Sequence, residues 1–165
     1  MTAGTGGTTQ RSAWARAGIV FACVLAADQG VKALINATLE RGAEREVVVG
    51  IKLVNVRNSG VAFGQLQNGG VIVGAVIAVA VLALLIYFAR NGWRPLVWLP
   101  TGMLLGGALG NIVDRLREGA VIDFVKLPYW PAFNVADSAI CVGVVVLLFV
   151  MERGAPDGDR ARRSA

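Results

Sequence analysis

The sequence predicts an all-α membrane protein of four transmembrane helices, with a strand-bearing connection and a surface-lying loop on one side. Three observations lead there. Of 165 residues, 55% are apolar and only 16% are charged, too few charges to cover a soluble surface. The mean hydropathy is +0.60. The apolar residues gather into long blocks, as a hydrocarbon layer of ~30 Å demands of helices of ~20 residues. A chain of this length reads as one domain, residues 1–165.

The elements follow in order. Met1–Gln10 is rich in Gly and Thr, and residues 1–13 and 152–165 are expected to be flexible tails. The first apolar segment runs from Trp14 to Thr38 behind Arg11 and Arg16, as a secretory signal would. Val20-Phe21-Ala22-Cys23 even resembles a lipoprotein cleavage box. But Phe21 is bulky for its place, the apolar stretch before Cys23 is short, and three further spans follow, so this is a retained helix. Those spans are residues 69–88, 95–113 and 133–151. They lack the alternation of barrel strands, leaving helices as the way to satisfy their backbones in lipid.

The two longer connections are more than turns. Glu46–Arg57 is rich in Val and Ile and reads as strand, before a Gly-containing Asn58–Gly64 loop. Leu116–Ala132 contains the amphipathic Leu127-Pro128-Tyr129-Trp130-Pro131 and is expected to lie on the membrane surface. Both are long for connectors, which marks them for function.

Charge sets the orientation. The net charge is +5, with Arg clustered at the chain ends and in the turn Arg90-Asn91-Gly92-Trp93-Arg94. That distribution suits an anionic leaflet better than nucleic acid. It places both termini and this turn in the cytoplasm, with Trp93 and Trp98 as interfacial anchors. The bases of the outer loops are interleaved with Glu40, Glu44, Glu46, Asp114, Glu118 and Asp123.

Absences narrow the chemistry. With no His, Ser-His catalysis and His-ligated zinc are excluded. Cys23 and Cys141 lie in separate apolar runs and read as small buried hydrophobes, not a disulfide or a metal pair.

Ionisable residues cost roughly 2.5–3.5 kcal/mol at the bilayer centre and are functional candidates by default. Four clusters qualify. Asp28-Gln29-Gly30-Val31-Lys32 sets Asp28 and Lys32 four apart, where they can neutralise each other. Asn55–Gly64 has the Asn and Gly of a turn. Gly106–Arg115 combines a Gly106/Gly110 packing face with Asn111, Asp114 and Arg115 on one side of a helix end, and Asp123 follows. Phe133–Ser138 opens the last helix with Asn134 and Asp137, which helix capping alone would also explain.

In the assigned topology, Asp and Asn residues recur at one membrane depth. Two carboxylates brought together there can share one proton, since like charges at short range do not both ionise. One then activates water and the other donates a proton, which is peptide hydrolysis without Ser, His or metal. An ion-coupled transporter would use Asp28–Lys32 and the acidic clusters as a proton path, but it needs polar residues at several depths. Val71–Phe88 offers only Tyr87. A non-enzymatic membrane assembly factor, its Asp residues merely capping helices, is the other alternative.

In this order and on these spans, DQGVK, NVRNSGVAFG, GGALGNIVDRL with VIDF, and FNVADSAI resemble lipoprotein signal peptidase (signal peptidase II). The resemblance covers approximately residues 18–150. It implies a cell (inner) membrane aspartic endopeptidase with four transmembrane helices, a small extracytoplasmic β-cradle and an active site near the outer face. It implies cleavage of prolipoprotein signal peptides before the diacylglyceryl-modified cysteine. Asp123 and Asp137 would form the dyad, oriented with the scissile peptide by Asn111 and Asn134. Asp28, Lys32, Asn58, Asp114 and Arg115 would shape the site, with Asn58 and Arg115 touching substrate backbone. It implies no cofactor or metal; the partners would be diacylated prolipoproteins and membrane lipids, met by a monomer.

Overall fold

The computed structural model describes residues 5–59 and 69–153. Among these, four helices and a small sheet follow one another as α1 (Thr5–Thr38), β1 (Glu44–Val48), β2 (Ile51–Asn58), α2 (Gly69–Asn91), α3 (Trp98–Glu118), β3 (Val121–Lys126) and α4 (Val135–Arg153). Two stretches are long and apolar enough to cross a membrane, Gln10–Thr38 and Val135–Arg153, and Val76–Asn91 is a shorter apolar one.

The helices differ from expectation mainly at their ends. α1 is already helical from Thr5, within what reads by composition as a tail. α3 starts at Trp98 and continues to Glu118, a shift of one turn relative to 95–113. The turn after α2 consumes Pro95 and Leu96, and Gly119 stops α3. With φ 72° this glycine takes the left-handed cap, its N–H reaching Arg115 O. Residues 60–64 of the Asn55–Gly64 cluster lie outside the described residues, as does the chain beyond Arg153.

The strand expected over Glu46–Arg57 is a hairpin. Gly50, at φ 82°, reverses the chain between β1 and β2, which pair antiparallel with Glu44 opposite Val54. The expected surface loop Leu116–Ala132 is likewise subdivided. Its first residues end α3, and Val121–Lys126 joins the sheet as β3 beside β2, Asn58 facing Val121 and Lys52 facing Lys126. Only Leu127–Ala132 remains a loop. The Val- and Ile-rich Val-Ile-Asp-Phe-Val run, buried over its first four residues, suits a strand beside β2.

α3 is the central helix, packed against α1 and α4, with α2 on its flank. Its glycines permit this. A Cβ on Gly110 would sit 2.5 Å from Asp28 Oδ2 of α1, and one on Gly107 2.5 Å from Ala136 O of α4. The Gly110 contact is the close helix approach expected of the Gly106/Gly110 face. Many large apolar side chains lie on the outside: Val79, Leu82, Val145, Leu148 and Phe149 are all exposed on α2 and α4. Such an apolar exterior is what lipid, not water, covers. Cys23 and Cys141 are free and exposed on α1 and α4, not buried as their apolar neighbourhoods suggest, because those neighbourhoods face outward.

Candidate active site

The interior inverts that exterior. Asp28, Lys32, Asn111, Asp114, Asp123 and Asn134 are all buried, gathered where α1, α3, β3 and α4 meet. Lys32 anchors the group. Its Nζ lies 2.7 Å from Asp28 Oδ2 and 2.6 Å from Asp114 Oδ2, and it donates to Asn111 Oδ1 at 3.3 Å. All three ammonium protons thus have acceptors, as a buried cation requires. Both carboxylates also accept a backbone N–H. Asp28 Oδ1 accepts from Ala136 N at 2.9 Å, tying α1 to an otherwise unpartnered N–H in the first turn of α4. Asp114 Oδ2 accepts from Ile122 N at 3.0 Å, tying α3 to β3.

Above this base sit two carboxylates from separate elements, Asp123 on β3 and Asp137 on α4. Asp123 Oδ1 accepts from Asn134 Nδ2 at 2.8 Å, and its Oδ2 from Asn58 Nδ2 at 2.9 Å. Asp137 Oδ1 accepts from Asn111 Nδ2 at 2.8 Å, and its Oδ2 from Asn134 N at 3.2 Å. Each carboxyl oxygen has one amide donor. Asn134 also accepts from Asp137 N at 2.9 Å through its side-chain oxygen, closing a reciprocal cap on α4. The capping explanation and the site explanation therefore describe the same atoms.

Burial pushes the Asp123 carboxyl up from its ordinary 3.8 to about 6, and the negative charge of Asp137 adds to this. The amides of Asn58 and Asn134 pull the other way. Asp123 therefore feels the charge of Asp137 and holds its proton to a higher pH than an ordinary carboxyl. Asp137 is only partly buried, which leaves it an approach for water.

Of the nine candidates, seven form this single network. Asn58 reaches it from the exposed end of β2, and half-buried Arg115 borders it, donating to Asn111 O at 3.3 Å. Two further participants were not singled out from sequence. Gln29 Nε2 lies 3.2 Å from Asp28 Oδ2, 3.2 Å from Gly110 O and 3.0 Å from Asp114 Oδ1. Its place three residues before Lys32, on the same helix face, was the available signal. Arg57 binds Asn55 Oδ1 at 2.6 Å, Asn36 Oδ1 at 3.0 Å and the Glu118 carboxylate, clamping β2 onto α1 and α3. No local pattern announced that clamp.

The family model for signal peptidase (SPase) II matches residues 20–152. The chain belongs to the signal peptidase II family. That family is one of aspartic peptidases, and the chain is accordingly an aspartic-type endopeptidase. A lipoprotein signal peptidase of Nitratidesulfovibrio vulgaris is 38% identical, covering 86% of this chain and 92% of its own. One from Syntrophotalea carbinolica is 42% identical over the same shares. One from Moorella thermoacetica is 41% identical over 84% and 93%. A solved chain described as a bacterial membrane enzyme superposes with a TM-score of 0.77 at 26% identity, covering 84% of this chain and 94% of that one. The signal peptidase II match takes in all four clusters singled out by their polar residues, so the network above lies wholly inside the family's shared region.

Proposed function

We propose that this signal peptidase II removes signal peptides from diacylglyceryl-modified prolipoproteins, cleaving before the lipidated cysteine, with Asp123 and Asp137 as the catalytic dyad. The observation that carries the reading is the pairing of these two carboxylates across one bridging residue, Asn134, which contacts both. The raised pKa of Asp123 favours it as the protonated partner and Asp137 as the base. Water attacks the scissile carbonyl carbon, giving its proton to Asp137, while Asp123 gives its proton to the carbonyl oxygen. On collapse, the C–N bond breaks, the leaving amine takes the proton from Asp137, and Asp123 recovers one from the hydroxyl.

In this reading all four helices span the bacterial cell membrane, both termini are cytoplasmic, and the enzyme works as a monomer near the outer face. The outward aliphatic faces of α2 and α4 and the basic turn around Arg90 and Arg94 support the topology. The substrate's acyl chains hold it in the outer leaflet at ~0.8 kcal/mol per buried CH₂, so it arrives laterally at a dyad placed by the helix ends. Asn58 and Arg115, at the rim, meet the substrate backbone.

Purified full-length protein incubated with a diacylated prolipoprotein should release the signal peptide, with the new N-terminus at the modified cysteine. Equal cleavage of the unlipidated precursor, or a new N-terminus elsewhere, would overturn the assignment.

A further inference from the structure

At the end of the bundle opposite the dyad, the turn between α2 and α3 and the last turns of α4 border an open cavity of about 470 Å³. Its walls come from Trp93, Arg94 and Leu96 on the turn and from Phe149, Val150 and Arg153 on α4. Two guanidinium groups and an apolar wall thus share one space, and none of these residues contributes to the catalytic network.

Three details set it apart from an ordinary basic surface. The Nε–H of Arg94 is buried with no hydrogen-bond partner, and a buried donor without a partner is uncommon in native structures. Neither Arg94 nor Arg153 forms a salt bridge among the described residues. The turn is also held in an unfavourable shape, Leu96 adopting a left-handed φ of 66° that side-chain-bearing residues avoid. That conformation leaves Leu96 half exposed beside exposed Phe149 and Trp93. The Trp93 ring carries Arg94 at 5.6 Å, and its indole N–H is already used by Arg90 O at 3.2 Å. The unmet donor capacity therefore belongs to the arginines.

We propose that this cavity binds one anionic phospholipid, its phosphate held by Arg94 and Arg153 and an acyl chain laid along Phe149 and Val150. Phosphate geometry matches guanidinium donors, and basic pockets between helices at a membrane surface hold anionic headgroups. An indole at the rim sits where headgroup meets hydrocarbon. The inference rests on the membrane-spanning reading but not on the proteolytic one. The lipid would fasten α4, which bears Asp137 at its other end, to the α2–α3 turn.

Native mass spectrometry of delipidated full-length protein, titrated separately with phosphatidylglycerol and phosphatidylcholine, tests it. One phosphatidylglycerol should bind with clear preference. R94Q and R153Q should each weaken it about fivefold, and the double variant about twenty-five-fold, while R94K retains most of the affinity. R41Q, at the other end of the bundle, should change nothing. Equal binding of the two lipids, or an undiminished affinity in the double variant whose unfolding midpoint shows it folded, would refute the site. So would displacement by glycerol 3-phosphate at the lipid's own concentration, which would make the ligand a free phosphate. Binding seen only after removal of residues 154–165, which include Asp157 and Asp159, would make the chain's own tail the occupant and equally refute it. Cleavage by R94Q/R153Q in phosphatidylcholine bilayers is measured in parallel, so a failure of the lipid site and a failure of peptidase activity are read separately.

Discussion

Asn134 donates through Nδ2 to Asp123 Oδ1 at 2.8 Å, so the residue that caps α4 also fixes the carboxylate of a strand in another part of the chain. Replacing it with Asp keeps the shape, removes that donor and sets a third acid beside the pair. N134D should lower kcat by at least about 10²-fold, with the protein still inserting and folding. A kcat within a factor of three of the parent would show that Asn134 does no more than cap the helix.

Single replacements of Asp123 and Asp137 test the proposed dyad. D123N and D137N remove one titrating oxygen each while preserving most hydrogen-bonding shape, and each should reduce cleavage by about 10³-fold or more. Thermal unfolding in detergent should change little for D137N, the partly buried member. Wild-type turnover in either variant would return the protein to the scaffold reading.

The pH dependence follows from Asp123. Its folded value, about 6 against an ordinary 3.8, means the unfolded chain releases this proton first. Stability from this group is therefore greatest below about pH 4, declines as pH rises towards 6 and is level beyond. For catalysis, kcat/KM should carry an alkaline limb beginning near pH 6, where the free enzyme loses the shared proton. Because the Asn58 amide lowers the Asp123 value, N58A should move that limb to higher pH. A limb that stays put or moves down contradicts the assignment of the proton to Asp123.

Lys32 lies between Asp28 and Asp114, at 2.7 Å and 2.6 Å. K32M leaves both carboxylates buried without a cation, a loss of about 3–5 kcal/mol. The unfolding midpoint in detergent should fall sharply, and adding D114N to K32M should restore part of it. If K32M unfolds at the parent's temperature, the trio is not holding the helices together.

Gly110 has no room for a methyl group, since its Cβ would come 2.5 Å from Asp28 Oδ2. Asp28 has little freedom to retreat, being held by both Lys32 and Ala136 N. G110A should therefore separate α1 from α3 at a cost of about 1–3 kcal/mol. Activity should fall with it, because Asp28 also positions the first turn of α4. Full activity and stability in G110A would mean the helices are not this close.

The amino-acid sequence alone determined roughly where the helices lie and the chemical cast. Apolar length is a local property, and buried acids and amides such as Asp28, Asn111, Asp123 and Asp137 stand out because lipid makes them expensive. Helix ends were less legible, since whether Pro95 and Leu96 open α3 or belong to the turn depends on how α2 and α3 pack. Tertiary structure decided the rest. Glu46–Arg57 became a hairpin at Gly50, and Val121–Lys126 became a strand, because pairing partners far along the chain choose between strand and loop for a short apolar run. The bond from Asn134 to Asp123, those from Gln29 to Gly110 and Asp114, and that from Arg57 to Asn36 likewise join separate elements of the fold. Hydrogen bonds of that kind depend on where helices and strands come to rest, which no spacing along the chain encodes.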